Sequence, residues 1–302
     1  MKNVTIDICI CTFRRAHIAD TLRSIAQLHL QPGWRVQIIV ADNDDGPSAR
    51  ELVERTAREC NLALTYLHAP ARNISIARNA CLNKAAGDFA AFIDDDELVS
   101  PEWLESMLAT QEKTAADVIL GPVRAFYDSD CPLWMRRGDF HSTKPAWVND
   151  RIITGYTCNV LFNRTAKSIA GLRFRADLGR TGGEDTVFFT TIHKAGGRIA
   201  YAPEALVTEN VPSDRATFRW LLLRRYRFGQ THGMLLREEL GGGLPLRVEN
   251  LVAATSKVIF CFAMAVLNAM QAERMRFWLL RGALHTGVAS HLLGRKIIEP
   301  YA

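Results

Sequence analysis

The chain has 302 residues, 48% hydrophobic and 23% charged, with a net charge of +5. This length suits one large α/β domain or a domain with an appendage. The seven cysteines are scattered, odd in number and without a C-x-x-C pair, which favours reduced thiols in a cytosolic compartment over a disulfide scaffold or a zinc site.

The first 120 residues alternate between apolar runs and amphipathic segments. The chain begins with Met1 and leads directly into an apolar run, so we expect no signal peptide. The four runs that predict strands are Val4–Cys11, Val36–Ala41, Leu62–Leu67 and Phe89–Ile93. Near-continuous apolar strands separated by amphipathic helices are typical of a parallel sheet covered on both faces. The segment is therefore predicted to be a doubly wound α/β core.

Polar side chains follow each of these strands. Ligands of doubly wound sheets bind at the carboxyl ends of the strands, so we expect these side chains to meet at one edge. They are Thr12, Phe13, Arg14 and Arg15 after the first strand, Asp42 to Asp45 after the second, Arg72, Asn73, Arg78 and Asn79 after the third, and Asp94 to Glu97 after the fourth.

The acidic run after the fourth strand is the strongest chemical signal in the sequence. Four adjacent carboxylates repel one another, and a divalent cation with oxygen ligands would compensate that repulsion. The alternative is a solvated acidic turn that caps the helix after Ser100.

The glycine-rich phosphate loops of common nucleotide sites are missing. The first turn lacks G-x-G-x-x-G, and no G-x-x-x-x-G-K-[ST] is present. We therefore expect a nucleotide held by side chains, with its phosphates neutralised by a metal and arginines. Asp42 would accept hydrogen bonds from a pyrimidine edge or a ribose hydroxyl, Asp94 would bind the ribose, and Asp96 the metal.

A second acidic motif lies in the second half of the chain, after a strand predicted over Tyr156–Phe162. The run Thr181-Gly182-Gly183-Glu184-Asp185 precedes a helical pattern. Two glycines allow a sharp turn that presents a carboxylate at a helix start, where it serves as a base or only as a cap.

A helix is predicted over Asp214–Arg227, where Arg224 and Arg227 share a face. They would contact a diphosphate, or they form a solvated or lipid-facing basic face. The preceding segment 128–150 is predicted to be irregular. Its Trp134 and Trp147 would either bind an acceptor sugar or pack under the loop.

The C-terminal region combines basic and apolar residues. Residues 211–302 contain thirteen Lys and Arg but six Asp and Glu, a net charge of +7. Leu251–Met270 has the length of a membrane span, weakened by Lys257 and Asn268, and Phe277–Leu293 is amphipathic. We expect helices lying on an anionic leaflet rather than nucleic-acid binding. A buried helical pair or a dimer interface would give a similar pattern.

Taken together, these motifs resemble the family 2 glycosyltransferases, closest to the bacterial exopolysaccharide branch that assembles succinoglycan. The matching runs, in chain order, are Ile10-Cys11-Thr12-Phe13-Arg14-Arg15, Val40-Ala41-Asp42-Asn43, Ala77-Arg78-Asn79, Asp94-x-Asp96 with Glu97, and Gly183-Glu184-Asp185. The resemblance implies a GT-A fold over residues 1–235, with a nucleotide-binding half (1–120) and an acceptor half (121–235), and a helical appendage over 236–302.

The resemblance also implies an activity and its residues. It implies inverting transfer of a hexose from a UDP-sugar, UDP-glucose being expected, to a polyprenyl-diphosphate-linked oligosaccharide at the cytoplasmic face of the inner membrane. The Q-x-x-R-W element of processive members is missing, so we expect addition of a single sugar. Asp185 is the expected general base, with Glu184 second, and Asp96 the ligand of Mg²⁺ or Mn²⁺. The expected nucleotide-binding residues are Thr12, Phe13, Arg14, Asp42, Arg72, Arg78, Asn79, Asp94, Asp95, Arg224 and Arg227.

Two other interpretations remain open at this point. A sugar nucleotidyltransferase shares the α/β nucleotide core but usually has a glycine-rich basic loop near strand one, and Thr12–Ala16 contains no glycine. A non-catalytic nucleotide-sugar or membrane-binding protein would be expected to lack Asp96 or Asp185.

Overall fold

The computed structural model describes residues 3–239 and 244–298. Its strands are β1 (Val4–Thr12), β2 (Trp34–Asp42), β3 (Leu64–His68), β4 (Phe89–Asp94), β5 (Glu97–Val99), β6 (Val118–Leu120), β7 (Val123–Phe126), β8 (Trp147–Val148), β9 (Arg151–Ile152), β10 (Asn159–Asn163), β11 (Ile199–Tyr201) and β12 (Val207–Asn210). Its helices are α1 (Ile18–Ile25), α2 (Arg50–Glu59), α3 (Ile74–Lys84), α4 (Trp103–Thr114), α5 (Leu133–Gly138), α6 (Glu184–Lys194), α7 (Phe218–Glu239), α8 (Leu244–Leu267) and α9 (Ala272–Leu292).

The central sheet has seven strands in the order β11-β6-β10-β4-β1-β2-β3. Strands β4, β1, β2 and β3 are the four predicted apolar runs, and they pair in parallel as expected. The exception is β10, which lies antiparallel between β4 and β6. The sheet is thus mostly parallel, and its parallel half brings four strand ends to one edge.

Helices cover both faces of this sheet. On one face, α1, α2 and α4 pack against side chains such as Ile8 and Ile10 of β1. On the other, α3 and α6 pack against Cys9, Phe92 and Phe162, with Phe188 of α6 against the Phe162 ring. Successive side chains of a strand point to opposite faces, so a strand buried on both sides is apolar throughout.

A second, three-stranded sheet lies beside the acidic run, in the order β5-β12-β7. Its strand β5 begins at Glu97, three residues after β4 ends, and pairs antiparallel with β12. The acidic run is therefore the connection between the two sheets.

The segment 128–150, predicted to be irregular, contains α5 and the short strand β8. Trp134 packs on Phe140 and Phe218, with ring centroids 5.8 and 5.9 Å apart, so here the packing alternative describes the contacts. The side chain of Trp147 is exposed.

In the last three helices, α9 contacts both α7 and α8 and runs parallel to α7 and antiparallel to α8. The predicted division after residue 235 falls inside α7. Within the described ranges, Pro245–Leu267 is one helix that is long and apolar enough to cross a membrane, with 17% of it buried. Its exposed side chains include Ile259, Phe262 and Leu267.

Candidate functional site

The acidic run lies where the parallel strands end. Asp94 is the last residue of β4 and pairs in register with Cys11 of β1. The hydroxyl of Thr12 donates to Asp95 Oδ2 at 2.7 Å, and Arg15 Nη1 lies 3.2 Å from Asp95 Oδ1. Burial raises the pKa of Asp94 to about 7 and that of Asp95 to about 6, and neighbouring carboxylates add to both shifts. Ionisation of Asp94 and Asp95 is therefore disfavoured unless a cation balances their negative charge.

Two arginines approach Asp96. Arg15 forms a close ion pair with its Oδ2, and Arg215 Nη1 lies 4.0 Å from the same oxygen. Arg215 also lies 3.4 Å from Glu209 Oε1 on β12. Behind this pair, the buried Glu97 accepts a hydrogen bond from the Asp94 backbone N–H at 2.8 Å, which fixes the turn after β4.

The residues fit a divalent cation only in part. Within residues 3–239 and 244–298, no group of three or more His, Cys, Asp and Glu side chains is arranged to hold a metal. Mg²⁺ is commonly held by one or two carboxylates together with substrate phosphates, rather than by a cage built only of protein groups. Asp94 and Asp96 supply hard carboxylate oxygens, which suit such a shared site.

The second acidic motif begins α6. Gly182 and Gly183 have φ angles of +81° and +96°, which glycine adopts at little cost, and Glu184 and Asp185 form the first turn of the helix. Thr157, just before β10, donates from its hydroxyl to Asp185 Oδ1 at 3.0 Å. The carboxylate of Asp185 is thus fixed between two elements.

Arg78 connects this motif to the rest of the site. It is buried in α3, and its Nη1 donates to Glu184 Oε1 and, at 2.6 Å, to Asp185 Oδ1. Burial and the Asp185 charge raise the pKa of Glu184, whose Oε2 is buried without a hydrogen-bond partner. Arg78 and Asp185 also act electrostatically on Asp94, so the two acidic motifs share one field.

The second strand ends in residues that bind one another. Asp42 is fully buried, and its oxygens accept from the Asp44 and Ala49 backbone N–H groups and from the Tyr66 hydroxyl. Arg14 pairs with Asp44 at 2.8 Å and so lowers the pKa of that carboxyl. In the same region, Arg72 pairs with Asp45, and Phe13 is exposed beside Arg14.

Three other predicted nucleotide residues make contacts within the protein. Asn79 bonds through both side-chain groups to the Phe174 backbone, each at 2.8 Å. Arg224 lies over the rings of Trp220 and Phe228, and Arg227 Nη2 donates to the Thr181 carbonyl at 3.2 Å. Arg224 and Arg227 thus contact different parts of the protein.

Several residues of the site were not predicted as binding residues. They are Arg15, Glu97, Thr157, Glu209 and Arg215. Arg15 stood in a motif at the end of the first strand, and that position was a usable signal. Thr157, Glu209 and Arg215 reach the site through strand pairing and a loop far along the chain, which sequence spacing does not show.

Comparison with known proteins identifies a matching family, a similar relative and solved structures of similar fold. The sequence profile described as glycosyl transferase family 2 matches residues 7–168. The succinoglycan biosynthesis protein ExoM of Rhizobium meliloti is 52% identical over 304 residues, covering 100% of this chain and 97% of the relative.

Among solved structures, the mannosyltransferase PcManGT of Pyrobaculum calidifontis in complex with GDP-Man and Mn²⁺ superposes with a TM-score of 0.61 and 18% identity, covering 94% of this chain and 87% of that one. S. aureus TarS 1–349 in complex with UDP superposes with a TM-score of 0.54 and 18% identity, covering 96% and 92%. At this identity the two structures support similarity of fold alone.

Proposed function

The chain belongs to glycosyl transferase family 2 and has the GT-A fold, and from that premise we propose that it transfers one hexose during bacterial exopolysaccharide synthesis. The donor in this proposal is a UDP-sugar, namely UDP-glucose, and the acceptor is a lipid-linked oligosaccharide. Membership of the family confirms the resemblance inferred from the motifs. The 52% identity to a succinoglycan biosynthesis protein over the full chain supports the pathway and the acceptor class. It also favours a transferase over a nucleotidyltransferase.

The observation that carries the proposal is the pairing of two acidic motifs at one sheet edge. One ends β4 and suits a cation with a diphosphate, and the other starts α6 and suits a base. Arg78 binds the second motif and acts electrostatically on the first. An inverting transfer needs a base on one side of the sugar and charge stabilisation of the leaving group on the other.

We assign the donor side to the edge formed by Thr12, Asp94, Asp95 and Asp96, with Arg15 facing the diphosphate. Asp96, with Asp94 beside it, would hold Mg²⁺ or Mn²⁺, which when bound supplies Lewis-acid stabilisation of the leaving diphosphate. A protein of similar fold was solved with Mn²⁺. Displacement of Arg15 from Asp96 would free its guanidinium to pair with the phosphates. The other predicted nucleotide residues, among them Asp42, Arg72 and Asn79, remain predictions.

We assign the general base to Asp185, with Glu184 as the alternative. Arg78 and Thr157 orient the Asp185 carboxylate, which is a quarter exposed on its side chain, whereas Glu184 is buried. An exposed and oriented carboxylate can reach an acceptor hydroxyl and take its proton, but a buried one cannot.

We propose that the protein lies peripherally on the cytoplasmic face of the inner membrane. The exposed apolar side chains of α8 and the net charge of +7 over residues 211–302 support this placement. A lipid-linked acceptor would be held at the same surface.

The donor site is tested by calorimetric titration of UDP with and without Mn²⁺. We expect binding that Mn²⁺ strengthens in the parent chain and that loses its metal dependence in Asp96→Ala. The exposed Asp130→Ala serves as the matched control and should bind UDP like the parent. Metal-independent binding in the parent would contradict the assignment of Asp96.

The base is tested by Asp185→Asn. The change keeps the shape of the side chain and removes the basic oxygen, so transfer from UDP-glucose should fall by about 10²–10⁴-fold, the usual effect of general-base catalysis. UDP affinity should stay unchanged. Near-normal transfer by Asp185→Asn would move the base to Glu184.

A further inference from the structure

An apolar groove lies between the three C-terminal helices. Its volume is about 450 Å³, within the range of about 300–1,000 Å³ that small-molecule sites occupy. Each helix contributes residues at helical spacing, including Leu222 and Tyr226 of α7, Val258 and Phe262 of α8, and Leu279 and Ala283 of α9. The polar group of Tyr226 is bonded to the Ser290 hydroxyl at 2.7 Å, so the groove presents apolar surface.

Cationic side chains border this groove. Arg281 lies over the ring of Trp278, a lining residue. Lys257 precedes Val258 in α8. Burial and the charges of Lys257 and Arg281 lower the pKa of His285, so both cations lie near the same point of α9. The groove thus combines an apolar interior with a positive rim.

The groove lies across α7 from the candidate active site. Leu222 and Tyr226 face the groove, whereas Trp220 and Arg224 lie about half a helical turn away on the opposite side of α7. Arg215 lies over Trp220 and 4.0 Å from Asp96. A helix with its side chains is about 10–12 Å wide, so the groove and the acidic run are separated by the width of α7 and by the Arg215 side chain.

We propose that this groove binds the isoprenoid chain of the acceptor, with the diphosphate of the lipid at the rim formed by Lys257 and Arg281. The inference rests on the proposed function for the lipid-linked acceptor. The inference adds to the proposed function the location at which the lipid binds. A molecule with an apolar chain, a phosphate group and a sugar chain matches the apolar groove, the cations beside it and the active site across α7. Neither a phospholipid nor a second copy of the chain would account for the third element.

The test is a calorimetric titration with farnesyl diphosphate, a short isoprenyl diphosphate. Ala283→Leu adds a side chain inside the groove, and Ala263→Leu adds the same side chain on the exposed surface of α8. We expect Ala263→Leu to bind like the parent and Ala283→Leu to bind about tenfold more weakly, the effect of losing burial of roughly two methylene groups.

A second pair of variants covers the case in which Ala283→Leu perturbs folding. Phe262→Ala removes an exposed groove side chain and should also weaken farnesyl diphosphate binding, whereas Phe126→Ala, exposed in β7, should not. Arg281→Gln should weaken binding of farnesyl diphosphate several-fold and leave farnesol unaffected, since only the diphosphate carries charge.

Several results would overturn the proposal. Equal affinities of Ala283→Leu and Ala263→Leu would place the lipid elsewhere. Binding of short-chain phosphatidylglycerol with the same dependence on Ala283 would make the groove a general phospholipid site. A dimer that Ala283→Leu dissociates would make it an interface. If the parent binds UDP but no farnesyl diphosphate, only the groove proposal fails. If the folded parent binds no UDP, the donor assignment is refuted, and the titration with farnesyl diphosphate still tests the groove.

Discussion

The residue with the largest electrostatic role in the site is Arg78. Its buried guanidinium pairs with both Glu184 and Asp185, and it also contacts the ring of Phe174. Breaking a buried ion pair by removing one partner leaves an uncompensated charge, which destabilises far more than the loss of an exposed pair.

Arg78→Met should therefore lower the free energy of unfolding by about 3–5 kcal/mol at pH 7. Arg72→Met, which removes a half-exposed pair with Asp45, is the matched control and should change it far less. Urea denaturation of both variants measures the difference. Without Arg78 the pKa of Glu184 rises further, so the destabilisation should shrink as the pH is lowered and this carboxyl becomes protonated. A pH-independent loss would contradict the electrostatic explanation.

His141 makes the free energy of unfolding of the parent chain depend on pH. Its Nε2–H donates to the Arg215 carbonyl and its Nδ1 accepts from the Tyr127 hydroxyl, an arrangement that requires the neutral ring. Burial lowers the pKa of His141 to about 4, and Arg224 and Arg215 add to the shift. Between about pH 6.5 and 4 the unfolded chain binds this proton and the folded chain does not, so stability falls as the pH falls.

His141→Phe keeps the ring that stacks on Trp220 and removes the titrating group. We expect the urea midpoint of this variant to fall less between pH 7 and pH 5 than that of the parent. His17→Phe, at an exposed position before α1, should retain the parent's pH dependence. Parallel pH profiles for the parent and His141→Phe would be the contrary result.

At this scale the sequence predicted the residue types of the site better than their partners. Asp94, Asp96, Glu184 and Asp185 stood out because each follows a strand or starts a helix. Arg78 was predicted to bind nucleotide, and the structure shows it paired with carboxylates 106 and 107 residues further along the chain. Such contacts depend on which strands become neighbours, and local spacing carries no information on that.

Among the elements, the contact between α7 and α9 depends on glycines. A Cβ on Gly229 would lie 1.8 Å from the Leu284 carbonyl oxygen, and one on Gly287 would lie 2.0 Å from that of Tyr226. The two backbones therefore touch where neither helix has a side chain. This contact fixes the distance between two of the three helices that line the groove.

Gly229→Ala should push the two helices apart. Overpacking of this kind costs about 1–3 kcal/mol, which exceeds the gain in helix propensity of about 1 kcal/mol. Gly282→Ala is the matched control, because its Cβ would meet only Cys261 Cβ at an ordinary 3.5 Å. Thermal or urea unfolding should show Gly229→Ala less stable than the parent and Gly282→Ala equal or more stable. The reverse order would show that the helices can separate freely.

The sequence predicted the long elements and missed the short ones for one physical reason. The strands β1 to β4 are buried on both faces, so each is a continuous apolar run that reads clearly. The strands β5, β7 and β12 have three or four residues and polar positions such as Glu97, Arg124 and Glu209. They are therefore too short for an alternation of apolar and polar residues to be recognised. The antiparallel direction of β10 follows from its neighbours and not from its own residues.

Viewed as a whole, the molecule has a globular α/β body and an exposed apolar helix on one side. The side chains of Ile259, Phe262 and Leu267 are 66%, 65% and 78% exposed, although a soluble surface normally disperses such residues. Together with the positive charge of the C-terminal region, this surface suits the interfacial zone of an anionic bilayer.

We expect the protein to sediment with anionic vesicles and to be released partly by high salt. Ile259→Glu should reduce vesicle affinity about tenfold or more, since burial of one such side chain contributes about 1.5–3 kcal/mol. Leu30→Glu, at an exposed site on the α/β body, should leave it unchanged. If the protein stays in the supernatant with anionic vesicles at low salt, the peripheral placement is wrong.

The antiparallel strand β10 has a consequence for the order in which the chain folds. Residues 4–94 contain the four parallel strands and their helices, so this half can form during synthesis from contacts close in sequence. The edge of β4 stays unpaired until residues 159–163 emerge, and β6 gains its second partner only with residues 199–201. A ribosome stalled between residues 95 and 158 would hold a nascent chain with an open strand edge, and such a chain is expected to aggregate or recruit a chaperone. Pairing of β10 with β4 therefore closes the open edge of the parallel half of the sheet.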